Sequence, residues 1–263
     1  MPTTATARRP FPRCTGVAPV VRAEALTPRM RRLTLDAGPL GDFHVEEPGE
    51  IVTLLWPAPG RELVLPAPGW RFPPGVAEAQ HARNYTVGAW DPGARELTID
   101  AVVHGDHGRA SRWAGTACPG DAVGVAGPRP HWTAEPEADW TLLVADETGL
   151  PALAAIADAL PAGHPAIAVV EVADAAERRP LPTAARLEVH WVHRDGAPPG
   201  PRGPLAGRVL ALEPPPGTGR AWGGGEAAAM RRVRDHLRGP CGLAAEAVSV
   251  LGYWKHRDTD RWE

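Results

Sequence analysis

Hydrophobic and polar residues alternate along the first half of the chain in short segments that are typical of β-strands. Turn-forming, Pro- and Gly-rich connections separate these segments, which favours a sandwich or a barrel. The predicted strands are Val17–Leu26, Met30–Leu35, Ile51–Trp56, Arg83–Trp90, Leu97–Val103 and Asp121–Ala126. A short helix is expected over Ala110–Ala117. We predict an N-terminal antiparallel Greek-key β-barrel.

After about Pro136 the pattern changes to wholly apolar strands that alternate with helices, which predicts a parallel sheet covered on both faces. The predicted elements are strands at Thr141–Ala145, Ala166–Val172, Leu187–Val192 and Ala247–Leu251, and helices at Pro151–Leu160 and Gly225–Leu237. Gly196–Pro204 is expected to be a loop. The fold class is therefore a β-barrel domain (residues 1–133) followed by a smaller α/β domain with a C-terminal tail (residues 134–263).

Composition narrows the function classes. A net charge of −3 does not indicate the basic surface that binding of nucleic acid requires. No apolar run approaches the roughly 20 residues that cross a bilayer, and the first residues lack the apolar core of a signal peptide. Three cysteines far apart favour neither a disulfide framework nor a structural zinc site. We expect a cytoplasmic monomer or homodimer that acts on a small molecule.

The segment Arg83-Asn84-Tyr85-Thr86-Val87 has the residue types that would hold a planar, phosphorylated ligand. Strand alternation places Arg83, Tyr85 and Val87 on one face. Asn84 and Thr86 lie on the other. The tyrosine ring would stack on the ligand, the guanidinium would pair with phosphate, and the threonine hydroxyl would donate to a ring heteroatom.

A second segment, His104 to Ser111, is a glycine-containing turn that leads into a helix. A helix N-terminus presents free N–H groups and a positive dipole end, which suits a pyrophosphate. Gly105 and Gly108 let the backbone turn, and Ser111 adds a hydroxyl. The same residues would also serve as an ordinary turn and helix cap.

Three further motifs lie in the second half. Asp146-Glu147-Thr148-Gly149-Leu150-Pro151 follows the first apolar strand, where ligands bind in open α/β sheets. Trp222 to Glu226 is predicted to be a glycine turn that opens a helix. Gly252-Tyr253-Trp254-Lys255 follows the final strand.

Neither pair of histidines predicts a metal site. His104 and His107 lie in a polar turn with no further ligand type beside them. His190 and His193 lie three residues apart on a predicted strand and therefore point to opposite faces. We predict no metal ligands.

The order of these motifs resembles the siderophore-interacting protein family, FAD-containing ferric-siderophore reductases of the ferredoxin–NADP reductase superfamily. The resemblance runs from about Val17 to Lys255. It implies that NAD(P)H donates electrons through FAD to a ferric siderophore, and that no metal is bound by the protein itself.

The resemblance also implies roles for individual residues. Cofactor contacts are implied for Arg83, Tyr85, Thr86, His104, Gly105, Gly108, Ala110, Ser111, Thr148, Gly149 and Trp254. Tyr85 against the isoalloxazine and Thr86 near the flavin N5 are the implied catalytic residues. Lys255, the single lysine of the chain, is the implied contact for an anionic siderophore.

The chain also departs from the family pattern. Gly88 stands where the family strand carries a second arginine, so one cationic contact to the cofactor is missing. This leaves two other hypotheses open. One is a flavoenzyme of secondary-metabolite biosynthesis, with the flavin redox-active or structural, and the other is a non-catalytic siderophore or flavin binder. The donor is open between NADH and NADPH, with Arg178, Arg179 and Arg194 as candidates for a 2′-phosphate contact.

Overall fold

A computed structural model describes residues 14–104, 108–132 and 137–256. Its first half is one seven-stranded sheet in which every pairing is antiparallel. The strands are β1 (Cys14–Thr27), β2 (Met30–Asp36), β3 (Ile51–Trp56), β4 (His81–Thr86), β5 (Ala89–Asp91), β6 (Glu96–Val102) and β7 (Ala122–Arg129). Two helices accompany them, α1 (Val76–Ala79) and α2 (Arg109–Thr116).

The sheet has the strand order β4-β3-β7-β1-β2-β6-β5. Its two edge strands, β4 and β5, are separated in the chain by only Val87 and Gly88, so the sheet must curl round on itself. The backbone N–H of Val87 donates to Glu50 and that of Gly88 donates to Thr98 at the opposite edge, both at 2.8 Å. Inside the curl lie the alternating apolar residues of the predicted strands. The predicted antiparallel barrel is confirmed.

The prediction of one strand over Arg83–Trp90 is wrong. The chain changes its backbone partner from the β3 side to β6 at Val87 and Gly88, and this crossing divides the segment into β4 and β5. The functional motif therefore lies on an edge strand, whose outer side is open to a cavity.

The second half is a five-stranded parallel sheet with the order β10-β9-β8-β11-β12. Its strands are β8 (Trp140–Ala145), β9 (Pro165–Val172), β10 (Arg186–His193), β11 (Gly219–Glu226) and β12 (Val248–Trp254). Its helices are α3 (Leu150–Asp158), α4 (Pro204–Leu210) and α5 (Ala227–Arg238). One apolar cluster lies under α3 and another under α4 and α5, so both faces of the sheet are covered, as predicted.

One prediction in this half is wrong. Gly223, Gly224 and Gly225 belong to β11 rather than to a turn that opens a helix, and α5 begins after them at Ala227. The glycines admit neighbours at close range, because a Cβ on Gly224 would lie 2.9 Å from the Tyr253 ring. The predicted loop over Gly196–Pro204 is confirmed as far as Gly203. The helix α4, which was not predicted, begins at Pro204, a residue that suits a first helical position.

The two halves are held together by buried polar contacts. Asp100 of β6 accepts hydrogen bonds from Arg32 of β2 (2.8 and 2.9 Å) and from Arg179 of the second half (2.5 Å). Glu177 accepts a hydrogen bond of 2.5 Å from the Thr27 hydroxyl. The predicted domain boundary, between residues 133 and 134, lies outside the described residues.

Candidate functional site

A cavity of about 1150 Å³ lies between the barrel and the parallel sheet. The predicted site residues on its wall are Arg83, Tyr85, Thr86, His104, Gly108, Ala110, Ser111, Thr148, Trp254 and Lys255. These residues come from four separate segments of the chain. Their individual roles toward a cofactor or substrate stay predictions. Gly105 lies outside the described residues.

β4 forms one wall of the cavity. Arg83 is exposed, Tyr85 is half-buried against the barrel core, and Thr86 is buried. Arg83 donates to the carbonyl of Ala82 at 2.8 Å and forms no ion pair with any residue that the structure describes. Both faces of β4 reach the cavity, since Asn84 also lines it.

The phenol of Tyr85 is protonated near neutral pH. Burial raises its pKa to about 12, although the positive charge of Arg83 opposes the shift. A neutral phenol offers an aromatic face and an O–H donor, and it does not serve as a base at neutral pH. This fits the predicted role of Tyr85 as a ring against a planar ligand.

The start of α2 forms the adjoining wall. Gly108 precedes the helix with a φ of +87°, a conformation that favours glycine. The first N–H groups of a helix have no partner within it, so the residues from Gly108 to Ser111 can present donors to an anion in the cavity. The Ser111 hydroxyl accepts the backbone N–H of His104 at 3.0 Å and so holds the strand end against the helix.

Asp146 connects three strand ends of the parallel sheet. The chain reverses its direction of strand addition between β8 and β11, and such a point is where open α/β sheets bind ligands. Oδ1 of Asp146 accepts the N–H and hydroxyl of Thr148, at 2.8 and 2.6 Å, and the N–H of Gly149 at 3.3 Å. Oδ2 accepts the N–H of Glu226 at 2.9 Å and the indole N–H of Trp254 at 2.8 Å.

Gly149 does not line the cavity, although the resemblance implies a cofactor contact for it. A Cβ at this position would lie 2.1 Å from the carbonyl oxygen of Gly224. The glycine therefore allows α3 to approach β11 closely. Gly149 therefore contributes to the site through the packing of α3 and not through a contact with the cavity.

Arg194, which lines the cavity, forms a buried ion-pair network. Its guanidinium donates to Glu147 at 2.7 Å and to Glu171 at 3.3 Å. Burial raises the pKa of both carboxyl groups, and the charge of Arg194 opposes that shift. Arg179 pairs with Asp100, which leaves Arg178 as the exposed member of the three arginines considered for a 2′-phosphate.

The C-terminal tail closes the cavity on the side of the parallel sheet. Trp254 is fixed by Asp146, and Lys255 is exposed beside it. Tyr253 packs against His131, with ring centroids 5.3 Å apart. The Tyr253 hydroxyl and the Nε2 atom of His131 are buried and have no hydrogen-bond partner among residues 14–104, 108–132 and 137–256.

The wall of the cavity is cationic although the whole chain is slightly acidic. Its charged residues are the cations Arg29, Arg83, Arg109, Arg129, Arg194 and Lys255 and the carboxylates Asp100, Asp146 and Glu147. The wall thus carries six positive and three negative groups, whereas the whole chain has a net charge of −3. Such a wall favours an anionic ligand.

Sequence reasoning missed several residues of this wall. Arg29 follows β1 in a hairpin turn, and Arg129 ends β7, so neither belongs to a ligand motif in the sequence. Trp56 ends β3, and Trp70 lies within the long connection from β3 to β4, which resembles other Pro-rich loops of this chain. Only the curl of the barrel brings these positions to one cavity.

Comparison with a solved structure supports the class of fold. A ferredoxin NADP⁺ reductase from Neisseria gonorrhoeae, solved with bound FAD and NADP, matches with a TM-score of 0.62 at 13% identity. The match covers 91% of this chain and 99% of that chain. The barrel followed by a parallel sheet is therefore the fold of that ferredoxin NADP⁺ reductase.

More similar proteins define the family. The profile of the siderophore-interacting FAD-binding domain matches residues 19–132, and that of the siderophore-interacting protein matches residues 138–257. The crystal structure of a siderophore utilization protein from T. fusca is 37% identical, with a TM-score of 0.85 and coverage of 97% of both chains. Ferric vibriobactin reductase ViuB of Vibrio cholerae is 28% identical over 242 residues, 89% of this chain and 87% of its own length. The chain belongs to the siderophore-interacting protein family.

The cavity fits the FAD that this family's first domain binds. The guanidinium of Arg83, which forms no ion pair with the described residues, and the donors at the start of α2 suit a diphosphate, and the half-buried ring of Tyr85 suits a planar ring system. Among the described residues, no cluster of three or more His, Cys, Asp or Glu side chains is arranged to hold a metal ion. No helix in the described part of the chain is long and apolar enough to span a membrane.

Proposed function

We propose that this protein is an NAD(P)H-dependent flavin reductase that delivers electrons to Fe(III) held by an anionic siderophore. The observation that carries the proposal is the cationic cavity shared by a FAD-binding barrel and the strand ends of a parallel sheet. Family membership and the 28% identity to a ferric vibriobactin reductase support the substrate class.

The proposed reaction transfers two electrons from each NAD(P)H to iron. One NAD(P)H gives up two electrons and one proton remains in solution, while two Fe(III)–siderophore complexes are each reduced by one electron. Bound FAD supplies the chemistry that accepts an electron pair and releases single electrons. Fe(II) binds hard oxygen ligands more weakly than Fe(III), so reduction frees the metal.

The residues of the barrel bind and orient the cofactor in this proposal. Arg83 and the first turn of α2 neutralise the diphosphate, and the protonated ring of Tyr85 packs against the isoalloxazine. Thr86 is buried, and its hydroxyl would lie near the flavin N5 and could donate to it. Their common task is to fix the plane of the flavin.

Residues of the second domain and the tail hold the two reactants. Thr148 and Asp146 lie at the strand ends where the nicotinamide nucleotide would enter. Lys255 is exposed at the cavity mouth and forms no hydrogen bond or ion pair with the described residues. Its ammonium group is therefore available to an anionic siderophore.

The direct test follows the flavin spectrum. Purified protein loaded with FAD is mixed anaerobically with NADH or NADPH, and a catecholate or hydroxamate ferric siderophore is then added. We expect bleaching of the flavin band by a nucleotide and its recovery with the ferric siderophore, together with Fe(II) captured by a colorimetric chelator. Bound flavin that dithionite bleaches but neither nucleotide does would contradict the proposal. Bleaching without reoxidation by any ferric siderophore would favour the alternative of an organic substrate.

A pair of arginine variants tests the cofactor site in the same assay. Arg83→Ala should lower FAD affinity by about tenfold or more, because a charge-assisted contact to phosphate is lost. Arg61→Ala is the matched control, since Arg61 is exposed and lies off the cavity wall. Equal FAD affinity in the two variants would remove Arg83 from the site.

A further inference from the structure

A tight hairpin carries a tryptophan in a strained conformation onto the cavity wall. Ala67 and Arg71 pair across it through two backbone hydrogen bonds of 2.8 and 3.2 Å, so Pro68, Gly69 and Trp70 form its three-residue loop. Gly69 has a φ of +82° and Trp70 a φ of +59°. The last residue of such a loop is usually glycine or asparagine, because other side chains are strained there.

Side-chain contacts hold the loop that carries the hairpin. The side-chain amide of Gln80 accepts the N–H of Val64 at 2.9 Å and donates to its carbonyl at 2.8 Å. Arg109, at the start of α2, donates to the carbonyl of Pro57, where the same loop leaves β3. The first contact therefore ties two parts of the connection together, and the second attaches its start to α2.

The Trp70 ring packs edge-to-face against Phe72. The two rings are nearly perpendicular, at 87°, with centroids 5.4 Å apart. This is a preferred geometry for aromatic pairs, and it restrains the orientation of the indole. A strained backbone and a braced ring together hold a large aromatic surface at the cavity.

The register of β3 and β4 shows which end of β4 lies beside the loop that carries Trp70. Thr86 pairs with Ile51 at one end of β4, and His81 pairs with Trp56 at the other, about 17 Å away at roughly 3.4 Å per residue. The loop that carries Trp70 connects these latter ends. Arg83 lies between the two ends of the strand.

We infer that Trp70 is the platform on which the adenine ring of FAD stacks. The inference rests on the proposed cofactor site: with the flavin at Tyr85 and Thr86 and the diphosphate at Arg83 and α2, the adenosine half extends toward His81 and Trp70. Stacking of a base on an aromatic side chain tolerates a solvent-facing position and orients the adenosine half.

The test compares FAD with FMN, which carries the same flavin ring without the adenosine half. Dissociation constants for both are measured on the full-length apoprotein of wild type, Trp70→Asn, Trp70→Phe and the control Arg61→Ala. Asparagine tolerates the left-handed conformation, so Trp70→Asn removes the ring without adding strain. The unfolding midpoint of each apoprotein verifies that it is folded.

We expect Trp70→Asn to raise the FAD dissociation constant at least about fivefold and to leave that for FMN unchanged. Trp70→Phe keeps an aromatic face and should stay within about threefold of the wild type. An unchanged FAD constant in Trp70→Asn, or equal losses for FAD and FMN, would overturn the adenine platform. A wild type that binds neither flavin would instead refute the proposed function, and this inference with it.

Discussion

The indole N–H of Trp254 donates a hydrogen bond of 2.8 Å to Oδ2 of Asp146, and it thereby joins the end of the last strand to the end of the first strand of the parallel sheet. The same carboxylate oxygen accepts the N–H of Glu226 at the end of β11. One side chain thus holds three strand ends of the second domain and fixes the aromatic residue that closes the cavity.

Removing the Asp146 carboxylate should destabilise the second domain. Asp146→Asn loses a charged acceptor that receives five hydrogen bonds, so we expect a loss of about 2–3 kcal/mol in the free energy of unfolding, measured in urea. Trp254→Phe removes one donor and should cost about 1.5 kcal/mol. The exposed Asp158→Asn is the control, with an expected change within about 0.5 kcal/mol. Equal stability of Asp146→Asn and the control would show that the carboxylate does not hold the strand ends.

The contact between Asp100 and Arg179 should make the stability of the interface depend on pH. Burial by itself raises the pKa of Asp100, but hydrogen bonds from Arg32 and Arg179 outweigh it and lower the pKa below its ordinary value. The pair therefore stabilises the folded state above the unfolded pKa of about 3.9 and loses this effect as the pH falls through the lower folded pKa.

Asp100→Asn should reduce the free energy of unfolding by about 3 kcal/mol at neutral pH, because Arg179 is left with little exposure and no charged partner at Asp100. The difference from the wild type should shrink below about pH 4. Urea unfolding across pH 7 to pH 3, with Arg179→Ala completing a double-mutant cycle, measures both effects. A difference that stays constant down to about pH 3 would contradict the assigned pKa direction.

Gly88→Arg should strengthen FAD binding if the arginine of the family strand contacts the cofactor. The structure has room for the side chain, since a Cβ at Gly88 would meet the nearest atom, the carbonyl oxygen of Thr98, at an ordinary 3.5 Å. A new charge-assisted contact is worth roughly 1.5–3 kcal/mol, or about tenfold or more in the dissociation constant. Gly88→Ala is the matched control and should leave the constant unchanged. If both variants bind FAD like the wild type, the absence of an arginine at position 88 does not affect FAD affinity.

Patterns that are local in the sequence predicted the architecture. Alternation gave the strands of the barrel, and the apolar segments Thr141–Ala145 and Ala166–Val172 marked the parallel sheet. Arg83, Tyr85 and Thr86 share one strand, so their proximity followed from the sequence. Alternation placed Thr86 on the opposite face, however, and that both faces of β4 reach the cavity was seen only in the structure.

Features that depend on contacts between residues far apart in the chain could not be predicted from local sequence patterns. β11 was missed because its glycines resemble a turn, and the reason for them is the packing of Tyr253 and Asp146 in space. The hydrogen bond between Asp146 and Trp254 joins positions 108 residues apart. The left-handed backbone of Trp70 contradicts residue preference, and nothing local predicts it.

Lys255 provides the most specific test of the proposed substrate. Lys255→Ala should raise the apparent KM for an anionic ferric siderophore by up to about fivefold, since an exposed charge contributes about 1 kcal/mol or less. The KM for the nicotinamide nucleotide should not change, and the effect on the siderophore should fade as salt screens the charges. Arg231→Ala, on the exposed face of α5, is the control. Equal shifts for siderophore and nucleotide, or an effect that does not respond to salt, would show that Lys255 does not receive the anion.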